Sequence, residues 1–171
     1  MPHRIRKARL AELDLLVAQR RAMWLAMYPG ESCADAPSNA RPGSSRFSDA
    51  ELDAADGEYR EWMLREWTRG AFHAWLAEDE AGAVIAGGAV WLQPIHPRPG
   101  TSQREQPYLL SFYTDAAHRR QGLADAILGT ANAWCRERGY ARVALHASDA
   151  RRPIYARAGF KATTEMRLAL A

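Results

Sequence analysis

Apolar residues recur at Leu10, Leu13, Leu16, Val17, Met23, Trp24 and Met27, the spacing of one helix face, and predict a helix over 9–28. A short opening strand, Arg4–Ala8, precedes it, and Pro29-Gly30 stops it. The chain then turns to Ser, Pro, Gly and Ala as far as Arg46, the pattern of a loop. Ser48 followed by Glu51 is a capping-box signature. It opens a second helix through Tyr59, Trp62, Met63 and Trp67 that ends near Gly70. Phe72–Ala77 and Val84–Leu92 read as strands joined by a turn at Glu80-Ala81-Gly82. A proline-rich loop follows, from Pro94 to Gly100.

Tyr108–Thr114 is a strongly apolar strand. Leu123, Ala124, Ile127, Leu128, Ala131, Trp134 and Cys135 then mark one face of a helix closed by Gly139. Arg142–His146 alternates as a strand. Ser148 or Asp149 caps a short helix with Pro153 in its first turn and Gly159 just past its end. Phe160–Leu170 is expected as a closing strand. No repeat or linker interrupts this order, which reads as one α/β domain over residues 1–171 with a mixed sheet.

Composition adds limits. The chain has 171 residues, 47% hydrophobic and 25% charged, an ordinary soluble composition. No apolar run approaches the ~20 residues of a membrane span. The basic N-terminus leads into no apolar signal core, so no secretory signal is expected. Cys33 and Cys135 form no metal-ligand spacing; free thiols and a cytoplasmic location are expected. The net charge of +3 is too small to argue for nucleic acid. Its distribution is uneven: arginines crowd 118–161, and Asp35, Asp49, Glu51, Asp53, Asp56, Glu58 and Glu61 crowd 31–66. One half suits a polyanionic cofactor and the other a cationic substrate; equally, both are the solvated faces of unrelated helices.

The chemically informative stretch is Phe112-Tyr113-Thr114-Asp115-Ala116-Ala117-His118-Arg119-Arg120-Gln121-Gly122-Leu123-Ala124. A strand ends, a short loop carries two arginines, and a helix begins at a glycine and a small residue. First-turn amides lack internal partners and sit at the positive end of the helix dipole, so they form an anion site. Gly122 and Ala124 let a phosphate approach the backbone, and Arg119 and Arg120 add charge. This is neither a P-loop nor a dinucleotide fingerprint, since the required Gly-Lys-Ser/Thr and glycine triplet are absent.

Here the chain resembles the GCN5-related N-acetyltransferase (GNAT) superfamily. Arg119-Arg120-Gln121-Gly122-Leu123-Ala124 matches that family's Arg/Gln-x-x-Gly-x-Gly/Ala after a strand. Leu145 to Phe160 matches its second block, which ends in a tyrosine and then Gly-Phe. The resemblance spans nearly the whole chain and is sharp over about 108–160. It implies a mixed sheet flanked by about four helices, with two central parallel strands, Tyr108–Thr114 and Arg142–His146, splayed into an acyl-coenzyme A cleft. It implies acetyl-coenzyme A as co-substrate, without a metal. Phe112, Tyr113 and Thr114 would pair with the pantetheine arm, and Arg119, Arg120, Gln121, Gly122, Leu123 and Ala124 would hold the pyrophosphate. Tyr155 matches the general acid, and Ser148 stands where many relatives have asparagine; Ala116 stands where many have proline.

The implied reaction is direct attack of a primary amine, of a small molecule or peptide, on the thioester by a monomer or homodimer. A non-catalytic acyl-coenzyme-A-binding module is the alternative, and a nucleic-acid-binding protein a more distant one. Glu105, Ser111, His146 and His73 are candidate bases, and Trp24 and Trp62 candidate walls of the acceptor site.

Overall fold

The computed structural model describes residues 3–28, 47–148 and 151–164. Five strands lie in sequence order: β1 (Arg4–Lys7), β2 (Phe72–Glu78), β3 (Val84–Pro94), β4 (Glu105–Thr114) and β5 (Ala144–Leu145). The first four pair antiparallel and β4–β5 is parallel. The helices are α1 (Leu13–Met27), α2 (Asp49–Thr68), α3 (Leu123–Glu137) and α4 (Arg152–Arg157).

Helices cover both faces of the sheet, so β2 is buried almost along its length rather than in alternation. On one face Leu123, Ile127, Leu128, Ala131, Trp134 and Cys135 of α3 join Trp75, Val90, Leu109 and Phe112. Each such fully buried aliphatic side chain is worth roughly 1.5–3 kcal/mol. On the other face Leu13 and Leu16 of α1 and Tyr59 and Met63 of α2 pack on Phe72, Leu76 and Ala89. Ser48 and Glu51 form the expected capping box, with Glu51 N donating to Ser48 Oγ at 3.3 Å and Ser48 N to Glu51 Oε2 at 2.7 Å.

Two sequence expectations change. The strand expected over 142–146 shortens to Ala144–Leu145, which pair with Tyr108 and Leu109 alone. The closing strand expected over 160–170 is irregular over 160–164, and its remainder lies outside the described residues.

His73 of β2 lies against Trp134, with ring centroids 4.3 Å apart. Burial, helped by the nearby charge of Lys7 and then Arg138, lowers its pKa from the ordinary 6.5 to about 4. An unfolded His73 takes a proton near 6.5, so between these values the unfolded chain binds more protons and stability falls as pH falls. The full shift corresponds to roughly 3 kcal/mol, less a part for solvent screening at its open edge. His73→Phe should therefore flatten the decline of Tm between pH 6.5 and pH 4. An unchanged slope in a pH series of melting curves would remove His73 as its origin. Glu12, held below the usual carboxylate range first by its hydrogen bond to Arg6, adds acid sensitivity only below about pH 4.5.

Candidate active site

The site starts from an irregularity in β4. Ala89 faces Leu110 and Gly87 faces Tyr113, so Gly88 opposes both Ser111 and Phe112. One extra residue on β4 makes a bulge, and Ser111 takes φ 54°, a left-handed value uncommon outside glycine. On its other edge β4 pairs with β5 only at Tyr108↔Ala144 and Leu109↔Leu145. Beyond Leu109 that edge has no strand partner among the described residues. The gap thus opens where the bulge bends the chain. Phe112 is buried on the α3 side, Tyr113 pairs with Gly87, and Thr114 pairs with Ala86.

β4 runs through a 3-10 turn, Ala116–His118, into α3. Arg120 has φ 65° and Gly122, the residue capping α3, φ 78°. The amides from Gly122 through Asp125 have no hydrogen-bond acceptor among the described residues. They form an array of donors at the positive end of a helix, fit for an anion with several oxygens. Leu123 is buried in the core, so only its backbone is available there. Arg119 Nε donates to the Thr114 carbonyl at 3.2 Å and braces the turn, while Arg120 and Gln121 are exposed. A cavity of about 350 Å³ adjoins between α3 and α4, lined in part by Asn132, Arg136 and Arg157.

Tyr155 of α4 packs edge-on to Phe160, 5.9 Å between centroids. Burial raises its pKa, opposed by Arg151 and assisted by Tyr108, so the phenol keeps its proton. The Ser148 carbonyl accepts from the amides of Arg151 and Arg152 at 2.9 and 3.1 Å, while its side chain is exposed. His146 Nδ1 is hydrogen-bonded to the Tyr108 hydroxyl.

The other candidate bases separate. Ser111 Oγ is bonded to the Tyr59 hydroxyl at 2.9 Å. Glu105 starts β4, six residues and about 20 Å of strand from Ser111. His73 is two strands away on the α3 face. Cys135 is no acyl carrier either, since burial pushes its thiol up to about 11.

The acidic segment is largely committed to structure. Arg21 holds Asp53 at 2.6 Å, Asp56 at 2.9 Å and Asp49 at 3.7 Å. Arg60 holds Asp14 at 2.6 Å, and Glu66 accepts from Trp91 Nε1 at 2.7 Å and pairs with Arg69. Asp35 lies outside the described residues. This weakens the reading of these acids as a cationic-substrate surface. Trp62 is stacked on Tyr59 and meets Trp91 edge-on, and Trp24 stacks on Tyr28. Tyr59 and Arg20 were missed by sequence reasoning, for helix periodicity marks faces and not partners. The bulge had a signal, the Gly87-Gly88 pair inside a strand.

A sequence profile described as the acetyltransferase (GNAT) family matches residues 40–160. Among solved structures, a GCN5-related N-acetyltransferase from Ralstonia eutropha JMP134 is 28% identical with TM-score 0.77, the match covering 99% of both chains. A predicted acetyltransferase from Clostridium acetobutylicum, solved with acetyl-CoA, is 23% identical with TM-score 0.77, over 99% of this chain and 96% of that one. An aminoglycoside N-acetyltransferase in complex with CoA is 14% identical with TM-score 0.66, over 99% and 95% of the two chains. The last two identities show the fold alone. No curated protein matches the chain. No described helix is long and apolar enough to cross a membrane.

Proposed function

The chain belongs to the acetyltransferase (GNAT) family, and from that premise we propose that residues 1–171 act as one domain transferring an acetyl group from acetyl-coenzyme A to a primary amine, of a small molecule or peptide, by direct attack. One juxtaposition supports this above all. β4 loses its β5 partner after Leu109, just before a bulge, and leads directly into the unpaired amides at the start of α3. A diphosphate fits the amides of Gly122, Leu123 and Ala124, with Arg119, Arg120 and Gln121 around them. An amide-bearing arm fits the free β4 edge at Phe112, Tyr113 and Thr114. Arg136 and Arg157 of the adjoining cavity suit the nucleotide end by charge. When bound, acetyl-coenzyme A supplies an activated thioester.

The chain's own groups do the rest. The bulge turns backbone near Phe112 out of the ladder, where an amide can face negative charge developing on the carbonyl oxygen. The amine must lose a proton to attack, and His146, joined to Tyr108 at the closed end of the gap, is the group assigned to take it. Tyr155 donates toward the departing sulfur. Its raised pKa limits full proton transfer, so its contribution is chiefly a hydrogen bond to developing charge. The expected side-chain cap by Ser148 is not formed: Arg151 stands at the N-cap of α4, the Ser148 carbonyl accepts from the amides of Arg151 and Arg152, and its exposed hydroxyl is offered to the arm. No covalent enzyme intermediate is required, consistent with the buried, protonated Cys135.

The direct test mixes protein, acetyl-coenzyme A and an amine panel and follows release of free thiol. Thiol release that depends on the amine is expected; cofactor binding with no release on any amine would reduce the chain to a binding module. Tyr155→Phe is expected to lower kcat roughly 20-fold, the value of one hydrogen bond to a charged group. Affinity for coenzyme A should change little. An unaltered kcat would take Tyr155 out of this role.

A further inference from the structure

We propose that the acceptor is an amino acid, a molecule with a carboxylate beside its amine, and that Arg20 is the residue that reads the carboxylate. This rests on the transferase reading and goes on to its acceptor.

Arg20 lies on α1 and is half-buried, with its guanidinium carbon 4.0 Å from the Tyr59 ring centroid and 5.5 Å from that of Trp24. It makes no ion pair or hydrogen bond among the described residues. The adjacent Arg21, about 100° round the helix, takes Asp49, Asp53 and Asp56 instead. Asp56, already bonded to Arg21, attracts Arg20 only through space; a half-buried cation with no carboxylate bonded to it is unfavourable, and the aromatic contacts offset only part of that cost. A guanidinium held against a ring can keep its N–H donors for another partner, and those of Arg20 have no hydrogen-bond acceptor among the described residues. Those donors are the fork that matches a carboxylate in two parallel hydrogen bonds.

Position supplies the second half. Tyr59 carries Arg20 on its ring and holds Ser111 through its hydroxyl at 2.9 Å. Ser111 is the bulge residue of the cleft strand, so one tyrosine separates the guanidinium from the place where β4 opens. A carboxylate on Arg20 leaves an attached amine within a short reach of the gap. The same cation opposes polycationic acceptors, and the aspartates that would attract them are held by Arg21.

The test compares free amino acids with the amines they become without the carboxylate, such as phenylalanine against 2-phenylethylamine and leucine against 3-methylbutylamine. In wild-type protein kcat/KM should favour the amino acid by about 30-fold, the range of a charge-assisted pair. In Arg20→Met, which keeps the stacked stem, the preference should fall to near unity, and Arg20→Lys should restore part of it. Independently of turnover, calorimetry with N-acetylphenylalanine and coenzyme-A-saturated protein should show binding in wild type and a loss of tenfold or more in Arg20→Met. Equal use of both panels by wild type, or a preference unchanged in Arg20→Met, overturns the proposal while the transferase reading stands. Arg20-dependent binding of the N-acetylamino acid without thiol release on any acceptor would do the reverse.

Discussion

Gly122→Val is expected to weaken binding of acetyl-coenzyme A by about 100-fold, the loss of two charge-assisted backbone hydrogen bonds, while leaving a folded protein. Gly122 sits at φ 78°, where a β-branched residue is a steric outlier. Nothing lies within 4 Å of a Cβ built there, so the side chain meets no packing obstacle. The conflict is with the backbone itself, and a left-handed L-residue costs roughly 1–2 kcal/mol. The turn can relieve this by rotating the peptides around 121–123, which turns the amides of Gly122 through Ala124 out of their common direction. Gly82, in the β2–β3 turn with φ 82° and equally open space, is the control. Gly82→Val should cost similar stability and leave binding unaltered. Calorimetric titration with coenzyme A, beside urea unfolding, distinguishes the two; an unweakened Gly122→Val would move the diphosphate away from α3.

Gly88→Val should be the most destabilising single change named here. A Cβ at Gly88 would lie 2.9 Å from two ring carbons of Phe112 and 3.0 Å from Ile127 Cγ2. The bulge drives the Phe112 ring across the top of β3, and α3 closes over both. Neither neighbour is the free end of a flexible side chain, so the core must shift. Overpacking of this kind costs about 1–3 kcal/mol, which sets roughly 2 kcal/mol for Gly88→Ala and about 3 kcal/mol for valine, at the top of that range. For a chain of this length, 2 kcal/mol lowers Tm by roughly 4–8 °C. Phe112→Leu in the Gly88→Ala background should recover part of the stability by shortening the ring, but not the turnover, since Phe112 shapes the open strand edge. Full stability of Gly88→Ala alone would contradict the close approach of β3 and β4.

The local features were legible in the residues. The capping box at Ser48 and Glu51 needs only its four-residue spacing, and the α3 face needs only its period. The turn from β4 into α3 was legible for the same reason, since a strand, a glycine with freedom at φ and a helix start are neighbours in the chain. The role of Tyr155 came through resemblance alone, since nothing in its local spacing singles it out.

What the tertiary structure decided is every property that depends on residues far apart in sequence. The acids of α2 looked like a surface for a cation until Arg21 of α1, at least 28 residues away in sequence, was found holding Asp49, Asp53 and Asp56. β5 looked like five residues of strand until its ladder with β4 was found to hold only Ala144 and Leu145. Arg20 and Tyr59 looked like ordinary helix positions until α1, α2 and β4 converged on Ser111. Helix periods, caps and turns are set by bonds within a few residues, so the sequence by itself determines them. Ion-pair choice, strand splay and the charge beside a cleft depend on which elements meet, and only the folded chain brings those elements together.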